Sequence, residues 1–336
     1  MKKGKNYNIE FLRVLSCFLV VCIHVANYYS RGYGKISEGS YFFSIIINGA
    51  SRIAVPIFFM ISGALLIDET PRIKKSVRRV GNVFFTLVGW SVIYYIWNQW
   101  YRNQPYDFRL LFAEPVKKHL WFLYALLGMY ITLPFWQCML KNMPKVLMKY
   151  FVLLWFLFLT VNYILALCHL EITYQIPLVG TSCYLGYFIM GYVVKCLIEE
   201  IHFKKRACLA VAGFSSALTV LATYLSTVEK SVHVECFLEY RNILIAISAT
   251  GVFVAVMKDR NYQFTGWKKK WIDLISKHSF TIYLAHILFL DIVKKEMNPR
   301  GIPAWVGIPV FSVGVFLVTL LFSVVVHYRP FRKKTV

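Results

Sequence analysis

Residues 9–28, IEFLRVLSCFLVVCIHVANY, decide how this chain is read. Twenty helical residues cover about 30 Å, the thickness of a bilayer's hydrocarbon core. The two charged residues of the run, Glu10 and Arg13, stand at its start. Lys2, Lys3 and Lys5 precede it as they would a secretory signal. Arg13 interrupts the apolar stretch and no small-residue cleavage site follows, so the run reads as a retained first transmembrane helix.

Nine more runs of this kind follow, at 41–67, 80–100, 120–140, 149–169, 177–198, 207–225, 241–256, 276–293 and 303–327. Of 336 residues, 58% are hydrophobic and 16% charged, too apolar a balance for a soluble domain. The expected fold is therefore an all-α polytopic membrane protein of about ten transmembrane helices, forming one integral-membrane domain over 1–336. Lys and Arg in alternate loops set its orientation. One set, which includes Lys2–Lys5, Arg72–Arg79, Lys204–Arg206, Lys268–Lys270 and Arg329–Lys334, is about twice the other and places both termini in the cytoplasm. This distribution accounts for the net charge of +22 without nucleic acid, because the charge lies in short membrane-flanking loops and not on one basic, aromatic-rich face. The eight cysteines contain no C-x-x-C pair and read as core residues, with no metal site or disulfide framework.

Ionisable residues inside a span each cost about 2.5–3.5 kcal/mol on insertion scales, so they mark functional candidates. In the first run Glu10, Arg13, Cys17 and His24 fall in one sector at about 100° per residue. Arg13 lies toward the cytoplasmic end, and His24 is about three turns, roughly 16 Å, beyond it. In the second run Arg52 sits too deep to reach the interface, four residues before Pro56, which frees a carbonyl. Ser279, Tyr283 and His286 share a face of the ninth, and His119 and Trp121 open the fourth. Each has a plain reading as well: an i,i+3 ion pair for Glu10 and Arg13, an interhelical hydrogen bond for His24, packing for Pro56, Ser62 and Gly63, and an aromatic belt for Trp121 and Tyr124.

Taken in order, Arg13-x10-His24, the Arg52–Gly63 segment, Arg78-Arg79, His119-Leu120-Trp121-Phe122 and Ser279-Phe280-Thr281-Ile282-Tyr283-Leu284-Ala285-His286 resemble family 3 of the integral-membrane acyltransferases. Within that family they are most similar to the bacterial enzymes that O-acetylate surface polysaccharides. The resemblance covers nearly the whole chain and implies a multi-pass protein of the bacterial cytoplasmic membrane. Such a protein would take an acyl group, acetyl as first choice, from cytoplasmic acyl-CoA as co-substrate, with no permanently bound cofactor. Its acceptor would be a hydroxyl of a surface carbohydrate or lipid-linked glycan. The chain stops at Val336 with no soluble hydrolase-like domain, so it acts directly or hands over to a separate extracytoplasmic partner.

On this reading Arg13, Arg78 and Arg79 hold the CoA phosphates. His24 is the general base or a transient acyl carrier, and Arg52, Tyr283 or Ser279 stabilises the oxyanion. Glu10, His119, Trp121 and His286 are further candidates. The scheme requires the His24 imidazole to share a continuous cavity with the inner guanidinium groups. A secondary transporter or lipid-linked-sugar exporter is the alternative, since buried charges and broken helices also suit a transport path; a membrane sensor or scaffold is a third.

Overall fold

The computed structural model describes residues 5–103, 114–168, 170, 183–259 and 264–328. Among these the regular structure is entirely helical. The helices are α1 (Tyr7–Ser30), α2 (Glu38–Ser51), α3 (Ala54–Leu66), α4 (Ile73–Trp100), α5 (Trp121–Lys141), α6 (Lys145–Leu167), α7 (Cys183–Leu197), α8 (Lys205–Lys230), α9 (Ile243–Met257), α10 (Gly266–Glu296) and α11 (Ala304–His327). Side-chain caps fix several starts. Asn6 accepts from the Asn8 amide at 3.0 Å, Ser37 from the Ser40 amide at 3.3 Å and Asn242 from the Leu244 amide at 2.9 Å.

Eight helical stretches among the described residues are long and apolar enough to cross a membrane, which makes this a polytopic membrane protein. Three of the ten expected spans take another form. The run 41–67 is not one helix: α2 ends at Ser51 and α3 begins at Ala54. Pro56 has no N–H to give the Arg52 carbonyl, so the ladder breaks at Arg52 and Ile53 and restarts beyond them. The run 276–293 is the middle of the 31-residue α10, whose first two turns carry Lys268–Lys270. The run 177–198 starts outside the described residues and continues as the 15-residue α7. Lys2, Lys3, Arg109, Arg260 and the basic residues at 329–334 also lie outside the described residues. Helix α4 begins at Ile73, so Arg78 and Arg79 stand on it and do not precede it.

Helix α1 runs through the centre, packed on α2, α3, α10 and α11. Helices α4–α6 are peripheral and present large apolar side chains such as Phe85 and Phe135, each about three-quarters exposed, as a lipid-facing surface requires. The closest helix pair is α3 and α7. A Cβ on Gly63 would lie 1.6 Å from the Phe188 carbonyl oxygen, and one on Gly191 would lie 1.9 Å from that of Met60. These two glycines let the backbones touch, the close approach that drives helix association where no water is present to do so. Alternating helix directions put the chain's turns on two faces. Lys5 and Asp273 meet at 2.5 Å on the face bearing the start of α1, and Arg31 meets Glu235 at 2.6 Å on the opposite, far face.

Candidate active site

Along α1, His24, Asn27, Tyr28 and Arg31 are spaced at helical intervals and line a cavity of about 770 Å³. The other walls come from Arg52 at the α2–α3 break, Asn98 and Arg102 at the end of α4, the segment Glu114–His119, Trp121, Tyr240, and Tyr283, Ile287, Asp291 and Lys294 on α10. These elements meet at the far face, and Val20 is the deepest α1 residue that the cavity reaches.

Three imidazoles from distant segments converge at its base. The His24 ring lies 5.0 Å from that of His286 and 6.4 Å from that of His119, centroid to centroid, and the latter two are 5.5 Å apart. His286 is fully buried, and its Nδ1 donates to the Tyr283 carbonyl at 2.6 Å. His119 Nε2 donates to the Leu284 carbonyl at 3.3 Å. A carbonyl only accepts, so these bonds fix both tautomers and leave His286 Nε2 and His119 Nδ1 as buried lone-pair nitrogens with no partner. His24 makes no hydrogen bond among the described residues and faces the cavity. Tyr283 Oη donates to the His119 carbonyl, and Tyr94 Oη donates to that of Leu284 at 2.8 Å. Together these bonds tie the turn before α5 to α10.

Arg52 lines the same cavity. Its Nε donates to Asn48 Oδ1 at 3.0 Å, Asn48 Nδ2 reaches Asn27 Oδ1 at 3.4 Å, and the guanidinium lies 5.9 Å from the Tyr240 ring centroid. Arg52 is within electrostatic reach of His24. The Tyr240 side chain is a second hydrogen-bonding neighbour of the guanidinium. A proton acceptor and a fixed cationic donor thus share one pocket, the pair needed to deprotonate a hydroxyl and stabilise an oxyanion. Trp121 stacks near Tyr184 and Tyr240, with centroids 4.7 and 5.9 Å away, and so forms a cavity wall and not an outer belt.

The remaining sequence candidates stand apart from this cavity. Ser279 Oγ turns back to the Ser276 carbonyl at 2.9 Å, one helical turn below Tyr283. Glu10, buried, accepts from Ser276 Oγ and from Arg13 at 3.2 Å, while Arg13 also reaches Ser276 at 3.3 Å. Arg79 makes two bonds of 3.0 and 2.8 Å to Glu69, and Arg78 is exposed. Arg13 and Arg79 both lie within electrostatic reach of Tyr130. Among the described residues the His24 cavity is lined by none of these three arginines: Val20 is the deepest α1 residue that it reaches, and below it Cys17 packs on α10 with Sγ 3.5 Å from the Ser279 carbonyl.

Sequence reading did not single out the Lys117–Asp291 pair at 2.8 Å, with Asp291 5% exposed, or Asn27, Asn48, Tyr240, Lys294 and Arg300. The available signal was Asp291, an acid inside an expected span. At the mouth, Arg31 holds the Glu235 carboxyl below its ordinary value of 4.5. No group of three His, Cys, Asp or Glu side chains among the described residues is placed to hold a metal ion.

A family model described as an acyltransferase domain, of acyltransferase family 3, matches residues 6–328. No curated protein and no solved structure matches the chain.

Proposed function

The chain belongs to that acyltransferase family, and from this membership we propose that it is a membrane O-acyltransferase. It moves an acyl group, acetyl by preference, from cytoplasmic acyl-CoA to a hydroxyl of a cell-surface polysaccharide or its lipid-linked precursor. On this reading the chain crosses a bacterial cytoplasmic membrane ten times with both termini inside, so the His24 cavity opens outward. The transporter alternative has no support from the family match.

The observation that carries the reading is the unpartnered His24 imidazole in the same pocket as Arg52. His24 takes the proton of the acceptor hydroxyl as that oxygen attacks the thioester carbonyl. Arg52, held by Asn48, donates to the oxyanion that forms. The thiolate leaves as the tetrahedral intermediate collapses, and His24 returns the proton. His119 and His286 act as neutral, tautomer-fixed neighbours that orient His24, and Tyr283, already bonded to the His119 carbonyl, holds that arrangement. Arg13 and Arg79 are the donor-side cations, with Arg78 at their edge. The acyl arm must pass from them to His24 between α1 and α10, where Cys17 and Ser279 now touch.

The test uses the protein in nanodiscs with radiolabelled acetyl-CoA and cell-envelope glycan. Wild type transfers label, and a folded His24→Ala variant loses at least about 10²-fold. Full activity in that variant removes His24 from the chemistry.

A further inference from the structure

Among the described residues the cavity wall carries a pronounced excess of positive charge: seven Lys and Arg side chains line it against three carboxylates. Those acids are already engaged: Glu235 with Arg31, Asp291 with Lys117 and, at 3.7 Å, Arg102, and Glu114 with a partner of its own. Lys294 and Arg300, by contrast, meet no carboxylate within ion-pair distance among the described residues. Both sit on the Tyr28 ring, 5.3 and 4.3 Å from its centroid. Two bonds from Arg300, of 3.0 and 2.6 Å to the Tyr28 carbonyl, fix its guanidinium in place. Tyr28 is one helical turn from His24 on α1, and Lys294 lies within electrostatic reach of that imidazole.

Such an arrangement is costly unless something fills it. Cations gathered at the rim of a low-dielectric pocket repel one another, and the pocket focuses their field on whatever occupies it. A neutral sugar acceptor gains nothing from that field. An acceptor with a carboxylate or phosphate near its reactive hydroxyl is drawn in and oriented by it, since a guanidinium and an ammonium together offer directional and point-charge contacts to an oxyanion. We propose that Lys294 and Arg300, on the face of Tyr28, form an anion subsite that selects acidic acceptors: glycans bearing a uronate or a phosphate. This deepens the acyltransferase reading and rests on it for the word acceptor; the binding claim stands on the geometry alone.

Binding is therefore tested apart from turnover, with the full chain in nanodiscs at low salt. The probes are trigalacturonic acid and its methyl ester, which share a skeleton and differ in charge, and glucose 6-phosphate against glucose. Wild type should prefer at least one anion over its neutral counterpart by about tenfold, and the preference should fall as salt is raised. Lys294→Gln should cut that preference about fivefold, the worth of one charge contact at a wetted rim. Glu114→Gln, which removes an acid from the wall, should increase it. Lys35→Gln, an exposed change outside the cavity, should leave it as it was. Arg300→Lys, which keeps charge but loses the bonds to Tyr28, should give an intermediate value.

Equal affinity for charged and neutral probes in wild type overturns the proposal. So does an equal loss of both in Lys294→Gln, or a loss of coenzyme A affinity in that variant with the anion preference intact, which would assign the cations to the donor. Charge-selective binding without any acetyl transfer would leave the subsite standing and refute the acyltransferase reading instead.

Discussion

Replacing Gly63 by alanine puts a methyl group where the structure has the Phe188 carbonyl oxygen. The added Cβ would sit 1.6 Å from that oxygen and 2.7 Å from its carbon. Both are backbone atoms, so no side-chain rotation relieves the clash. To restore ordinary contact, α3 and α7 must move apart by about 1.5–2 Å, a displacement that close-packed interiors resist. Overpacking of this kind costs about 1–3 kcal/mol, which outweighs the helix-propensity gain of up to about 1 kcal/mol that alanine has over glycine. The shift also reaches the site. Val55 lies in the first turn of the same short helix and Arg52 in the break just before it, both lining the cavity, and a misplacement of about 1 Å there is expected to lower transfer about 10²-fold. Gly89→Ala on α4 is the matched control, because nothing stands within 4 Å of its new Cβ. The assay pairs a thermal melt in detergent with acetyl transfer in nanodiscs. Gly63→Ala should melt several degrees lower and transfer poorly, while Gly89→Ala melts at or above the wild-type midpoint. A Gly63→Ala protein with wild-type melting and full activity would refute the close α3–α7 packing and its link to Arg52.

Arg52→Gln should lower the rate of transfer about 10²–10³-fold with little change in donor affinity, read from kcat and KM for acetyl-CoA. Tyr283→Phe removes a buried hydroxyl that donates to the His119 carbonyl; a loss of about 1 kcal/mol in melting stability is expected, with a partial fall in activity through displaced histidines. Asp291→Asn leaves Lys117 without its carboxylate in a largely buried place and should destabilise more than Glu235→Gln does at the exposed rim. The folded-state value of Glu235 is depressed by Arg31, so the pair contributes stability above the ordinary carboxylate range and loses it as pH falls through the folded value. The melting difference between wild type and Glu235→Gln should therefore be constant near neutrality and close below about pH 4.5.

Much is legible in the amino-acid sequence. Alternation of apolar runs with basic loops dictates a membrane-spanning helical chain, because a backbone in hydrocarbon must satisfy its polar groups internally. The runs at 9–28, 120–140 and 303–327 agree with α1, α5 and α11 to within two residues at each end. Buried ionisable residues are conspicuous by their cost, so His24, Arg52 and His286 stand out by their places inside apolar runs. The break at Arg52 was half visible: Pro56 announces a lost hydrogen bond, and only packing shows whether the helix bends or restarts.

What the tertiary structure decided is which of these residues meet. Periodicity fixes neighbours on one helix, which is why Tyr283 and His286 could be paired, but His119 and His24 lie 95 residues apart in the chain and come together through α10. Ser279 shares a face with Tyr283 yet hydrogen-bonds to its own helix, and Arg13 shares a stripe with His24 yet lies below the floor of the cavity. A stripe gives direction about the axis but not where the neighbouring helices open a space along it. The basic rim of Lys294 and Arg300 is hidden for a related reason: cations near span ends look alike in sequence whether they flank a bilayer or face a pocket, and only folding shows which of them have no carboxylate within ion-pair distance.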